Sequence, residues 1–131
     1  MGVSYLLDTH AFLWLVGDPE QIAEETKGQL ALRDNRLLVS AISALEVAAK
    51  TRTGKLADLG LVESWSRRVA DIGAEELAVT SAHALLAGSM NWEHRDPFDR
   101  VLVAQGIVES AVLVTRDRAM AGLPAPRILQ I

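Results

Sequence analysis

The 131-residue chain has no cysteine. That removes disulfides, thiolate zinc sites and cysteine nucleophiles, and is compatible with a reducing cytosol. No apolar run reaches the roughly 18 to 20 residues that span a bilayer. The N-terminus opens on VSYLL and an early Asp8, without the basic stretch of a signal peptide. The expectation is a cytoplasmic protein with no membrane attachment. An excess of positive charge is also missing. The formal net charge is −4, whereas nucleic-acid affinity comes largely from Lys and Arg. Distribution tempers that objection: Lys50, Arg52 and Lys55 follow Glu46, Arg95 and Arg100 bracket Asp96–Asp99, and Arg116 and Arg118 flank Asp117. Repeats, linkers and low-complexity tracts are absent too. A chain with 50% hydrophobic and 23% charged residues is globular, and residues 1–131 suit one domain with a real core.

What is there reads as strands separated by helices. Val3–Leu7 is a short apolar run, read as a buried strand, followed by a helix over His10–Val16 that stops near Gly17-Asp18-Pro19. A moderately amphipathic helix is expected over Glu20–Leu32, and a second strand over Leu37–Val39. Ser43 is expected to cap a helix running to about Thr53, with Glu46 closing a capping box and Gly54 ending it. Further helices are expected over Leu56–Ile72 and Ser81–Met90, with a strand over Glu76–Val79 between them. Asp96-Pro97 reads as a cap and first helical residue, opening a helix to about Val108. Strands over Ala111–Val114 and Arg127–Ile131 complete the pattern, which implies a short parallel central sheet flanked by helices, an α/β fold.

Acids punctuate this pattern at four places: Asp8, Glu46, Asp99 and Asp117. In a parallel α/β sheet the carboxyl ends of the strands open onto one edge, so acids far apart in sequence can share a pocket. Carboxylates so gathered oppose joint ionisation unless a cation neutralises them. A hard divalent ion, Mg²⁺ or Mn²⁺, is the natural partner, and metal-assisted phosphoester chemistry follows. Each acid also has a plainer reading. Asp8 and Asp117 can cap helices, Glu46 can pair with Lys50 one turn on, Asp99 suits a helix's first turn, and Asp96 suits an N-cap. The three histidines, His10, His83 and His94, are the material for a metal-free acid–base alternative. A receiver-type signalling domain needs an early acidic pair and a Lys after its last core strand, where this chain has a lone Asp8 and Arg116. A haloacid-dehalogenase-like phosphatase needs a second Asp at the position of His10. A catalytically weak binding module remains as a further alternative.

The DTHAFLW opening, Glu46 in SAISALEVA, the DPFDRVLVAQ segment and VTRD together resemble PIN-domain ribonucleases, and among them the VapC toxins of toxin–antitoxin pairs. The resemblance runs from the first strand to the end of the chain. It implies a Rossmann-like sheet and a metal-dependent endoribonuclease with a cognate antitoxin, RNA as substrate and a homodimeric assembly. By that match Asp8, Glu46 and Asp99 form the acidic site and Asp117 is its fourth member, with Asp8 and Asp99 holding Mg²⁺ or Mn²⁺. Of the two aspartates in DPFDR, Asp99 is preferred because of the AQ-containing helix that follows it. Thr9, Ser43, Asp96 and Thr115 are the supporting residues expected around the acids, and Arg100 and Arg116 are expected to face a substrate phosphate. The number of ions stays open. A separate reading concerns Ala11, Phe12, Trp14, Leu15 and Trp65, which supply either ordinary core or a groove for an antitoxin helix.

Overall fold

Apolar runs of three or four residues can be buried on both faces only if helices cover both sides of their sheet. The computed structural model describes residues 2–131 and has that arrangement. Strands β1 (Ser4–Leu7), β2 (Arg36–Ser40), β3 (Glu75–Leu77), β4 (Val112–Thr115) and β5 (Ile128–Gln130) form one sheet in the order β3-β2-β1-β4-β5. Every pairing is parallel. Helices α1 (Thr9–Gly17), α2 (Glu24–Leu30), α3 (Ala41–Arg52), α4 (Trp65–Asp71), α5 (Ser81–Ser89) and α6 (Pro97–Val108) supply the crossovers up to β4, and a 3₁₀ turn at Arg118–Met120 lies between β4 and β5. Among the described residues no helix is long and apolar enough to cross a membrane.

Period-two alternation divides the core. Tyr5, Leu7, Leu37, Val39, Val112 and Val114 pack on one face with Phe12, Leu30 and Val69. Leu6, Leu38 and Leu113 point the other way, against Leu102, Val103 and Met120. The register then fixes where the site must be. Leu7 pairs with Val39 on one side and Val114 on the other. Asp8, Ser40 and Thr115, one residue further along each strand, therefore come out at one level. Because β2 and β4 lie on opposite sides of β1, the chain reverses its winding direction at β1. That reversal is a topological switch point, and Asp8 stands at its carboxyl end.

Three expectations are corrected. The Glu20–Leu32 helix is broken: a single 3₁₀ turn, Pro19–Gln21, is followed by extended Ile22 and Ala23 before α2 starts. Ile22 is buried and so anchors the break. The Leu56–Ile72 helix shrinks to Trp65–Asp71. Gly60 takes a positive φ of 80° and Asp58 accepts its amide in a turn, leaving Leu59 exposed rather than part of an apolar stripe. Ser43 is not a cap. Strand β2 passes straight into α3, so Ser40 holds the N-cap and accepts the Ile42 amide at 3.0 Å. No Ser43–Glu46 capping box exists, and Ser43 lies buried within the helix. Of the apolar supply in α1, Ala11 and Phe12 are core residues, and Phe12 packs on Trp65 at 4.9 Å between ring centres.

Replacing the true cap should register where replacing a helix-interior residue of the same type would not act through capping. Ser40→Ala should lower stability by about 0.5–2 kcal/mol, read as a shifted urea midpoint at unchanged slope. An unshifted midpoint would remove Ser40 from the capping position.

Candidate metal and phosphoester site

The carboxyl edge of the sheet carries an open cleft of about 540 Å³, and Asp8, Glu46, Asp99 and Asp117 all line it. Each arrives by a different local rule. Asp8 leaves β1 and caps α1, accepting the Ala11 amide at 2.7 Å. Glu46 faces the cleft from the second turn of α3 and Asp99 from the first turn of α6. Asp117 follows β4, caps a 3₁₀ turn through the Ala119 amide and is held by its own amide on the Thr115 hydroxyl. The capping and site readings are therefore not rivals. A cap orients a carboxylate, and its remaining oxygen stays available.

Electrostatics mark the cleft as a place for a cation. Burial pushes the Asp8 carboxyl up, opposed by hydrogen bonds from the Thr115 side chain and the Ala11 amide, while Glu46 adds repulsion. Burial also raises Asp99, from 3.8 to about 6, against the His94 hydrogen bond, and the charges of Asp96 and Asp117 push in the same direction as burial. Atoms of His94, Asp99 and Asp117 lie within 4.8 Å of one another. Hard carboxylate oxygens with one imidazole nitrogen nearby suit a divalent ion such as Mg²⁺ or Mn²⁺, with imidazole the better tolerated by Mn²⁺. The donor set fits the ion that the acids call for.

The supporting residues divide. Thr9 donates to Ser43 at 2.9 Å, both buried, tying the start of α1 to α3 behind Asp8 and Glu46. Thr115 serves both Asp8 and Asp117. Asp96 caps α6 through the Phe98 and Asp99 amides and also lines the cleft. Arg116 is exposed on the rim, over Trp14 at 5.3 Å. It donates to His10 Nε2 at 3.0 Å, which places the His10 proton on Nδ1, since a guanidinium only donates. Burial and then the charge of Arg116 lower the His10 pKa.

Arg100 is a correction. Its guanidinium is turned away from the cleft and bonds the carbonyls of Ala87, Met90, Trp92 and His94 at 2.6–3.0 Å. With four of its five N–H donors engaged there, it shapes the segment before α6 rather than facing a phosphate. Two residues, His94 and Arg118, went unassigned to the cleft in the sequence, while the expected Glu46–Lys50 pairing is present. His94, considered only for metal-free chemistry, bonds Asp99 at 2.7 Å and stacks on Trp92. Lys50 bonds Glu46 at 2.6 Å, and Arg118 lines the cleft. The signal for His94 was its place just ahead of the Asp96 cap. His83 takes no part: it is buried in a capping box with Thr80 and bonds Glu109.

The PIN-domain family model matches residues 5–125. No match was found among curated proteins. Among solved structures, the chain is similar to one from a DNA-bound VapBC of Salmonella typhimurium, with TM-score 0.73, 18% identity and 98% of each chain covered. It is also similar to one in VapBC2 of Rickettsia felis bound to a promoter DNA fragment, with TM-score 0.72, 16% identity and 98% of each chain covered. A third, in VapBC-1 of nontypeable Haemophilus influenzae, gives TM-score 0.62 and 19% identity over 98% of each chain. At these identities the likeness is one of fold.

A carboxyl whose pKa rises on folding binds its proton more tightly in the folded state. Its stabilisation is present at low pH and is lost as pH climbs from the ordinary value through the folded one. The metal-free protein should therefore lose stability as pH rises from 3.8 to about 6 through Asp99, with Asp8 acting in the same sense. Asp99→Asn should flatten that decline in thermal melts across the window. Parallel curves for the two proteins would contradict the assignment.

Proposed function

The chain belongs to the PIN-domain family, and from that premise we propose that it is a divalent-metal-dependent endoribonuclease, the cytoplasmic toxin of a toxin–antitoxin pair. The observation that carries the chemistry is the convergence of Asp8, Glu46, Asp99 and Asp117 on one open cleft. The antitoxin partner is supported by the VapBC complexes that contain chains of the same fold and length. A homodimeric toxin belongs to the same reading.

Asp8 and Asp99 would hold Mg²⁺ or Mn²⁺, with Glu46 and Asp117 orienting water. When bound, the ion activates water and screens the charge that develops at phosphorus. The chain itself supplies position. Asp8 is aimed by its bond to the Ala11 amide, and Asp99 is fixed in the first turn of α6 by His94. Arg116, exposed on the rim, offers guanidinium N–H groups to a phosphate oxygen. In-line attack by water forms the new P–O bond as the bond to the 3′ oxygen breaks, and that oxygen takes up a proton. The products carry a 5′-phosphate and a 3′-hydroxyl. The 2′-hydroxyl has no chemical part, so preference for RNA rests on shape and on unstacked single-stranded bases.

Asp8→Asn and Asp99→Asn should each reduce metal-dependent RNA cleavage by more than the roughly 10- to 100-fold typical of outer-shell changes. Asp96→Asn should cost far less, because Asn caps a helix about as well as Asp. Cleavage lost in Asp96→Asn and retained in Asp99→Asn would reverse the assignment within DPFDR. Mn²⁺ should also raise the wild-type melting temperature more at pH 8 than at pH 5, where protons compete for the ligands. Indifference to metal at pH 8 would favour the binding-only alternative.

A further inference from the structure

Glu46 is the one acid of the four that already has a full positive charge bonded to it. Its side chain is only 10% exposed, and its Oε2 accepts from Lys50 Nζ at 2.6 Å. An exposed i,i+4 pair on a helix surface contributes a few tenths of a kcal/mol. Here the acid is buried, and a buried carboxylate needs a partner. Lys50 reaches over from the next turn of α3 into the same cleft as the other acids. The opposite wall differs. Atoms of Asp99, Asp117 and the His94 imidazole lie within 4.8 Å of one another there, and His94 is bonded to Asp99. Glu46 is thus directly bonded to a cation of the chain, whereas Asp99 and Asp117 share the cleft with Arg116 and Arg118 without an ion pair to either.

We propose that the Lys50 ammonium occupies the position of a second metal ion, so that this chain binds a single divalent ion, on the Asp8, Asp99 and Asp117 side of the cleft. The inference rests on the metal-dependent nuclease reading above and specifies its ion count. Charge supports it. Five carboxylates line the cleft against one ammonium and two guanidiniums, which leaves a formal −2. One divalent ion cancels that charge, and a second would overshoot it before any substrate enters. Geometry supports it as well. An ammonium is a compact point charge with three donors on a flexible stem. With one donor on Glu46, two remain for phosphate oxygens, the groups a second ion would otherwise bridge. In-line displacement on phosphate profits from positive charge on both the attacking and leaving oxygens. Lys50 supplies one of the two charges without a bound ion.

Counting bound Mn²⁺ on the full-length purified chain at pH 8, by calorimetric titration and by electron paramagnetic resonance of the free ion, tests this directly. Wild type and Lys50→Arg should bind one ion. Lys50→Met should bind two, because the uncovered Glu46 carboxylate becomes a ligand. Glu46→Gln should still bind one, since that corner is not a metal ligand in the wild type, and this count decides the matter even if Lys50→Met fails to fold. Two ions on wild type, one on a folded Lys50→Met, or none on Glu46→Gln would each overturn the proposal while leaving the metal-dependent reading in place. No ion on wild type would remove both.

Discussion

Carboxylates gathered at the ends of parallel strands repel one another, and the rest of this site is organised around that repulsion. Two unit charges about 4 Å apart oppose each other by roughly 4 kcal/mol at an effective dielectric of 20, a large share of a small domain's net stability. The sheet leaves little choice in the matter. Register brings the residues after Leu7, Val39 and Val114 to one level, and the helices that start there aim their first turns at the same space. The chain offsets the repulsion in three ways. Backbone amides bond Asp8, Asp96 and Asp117. Lys50 covers Glu46. Asp99, whose pKa is raised by burial and by the charges of Asp96 and Asp117, accepts a hydrogen bond from His94 that opposes the rise.

Position is maintained from behind. The Thr9–Ser43 hydrogen bond couples α1 to α3, so Asp8 and Glu46 cannot drift independently. Arg100 gathers carbonyls from the end of α5 and the segment before α6 and thereby sets the height of His94. Stacking on Trp92 fixes the plane of the His94 ring. Arg100, expected at a substrate phosphate, thus acts two steps away from the acids, through the segment that carries His94, the neighbour of Asp99. Burial of Phe12, Leu6 and Leu113 on the two faces of the sheet holds the platform rigid.

The parts of this architecture legible in the sequence were those governed by local rules. β-type runs such as Leu37–Val39, the Asp96-Pro97 helix start and the stop at Gly54 each depend on neighbouring residues alone, and the structure has them. The four acids could be singled out because each sits at a strand end or within the first two turns of a helix, and all four do line one cleft. The failures came where tertiary packing decided. Residues 56–64 carry enough Leu and Val to look helical, yet Gly60 and the Asp58 turn take them out of helical geometry. Ser43 looked like a cap because the sequence does not show that β2 joins α3 without a loop. Arg100 looked available because its four carbonyl partners come from residues 87–94, brought together only by the fold. The Glu46–Lys50 pair, one helical turn apart, was legible and is present, whereas the contact of His94 with Asp99 is a matter of orientation.

The central claim is that acids from four separate segments share one cation-binding cleft. Paramagnetic broadening by substoichiometric Mn²⁺ in amide NMR spectra tests it without substrate, partner or mutation. If the claim holds, the amides around Asp8, Glu46, Asp99 and Asp117 should broaden together and first, while those of β5 and α4 stay sharp. Broadening confined to one of the four segments, or scattered over surface acids such as Glu24 and Glu75, would contradict it.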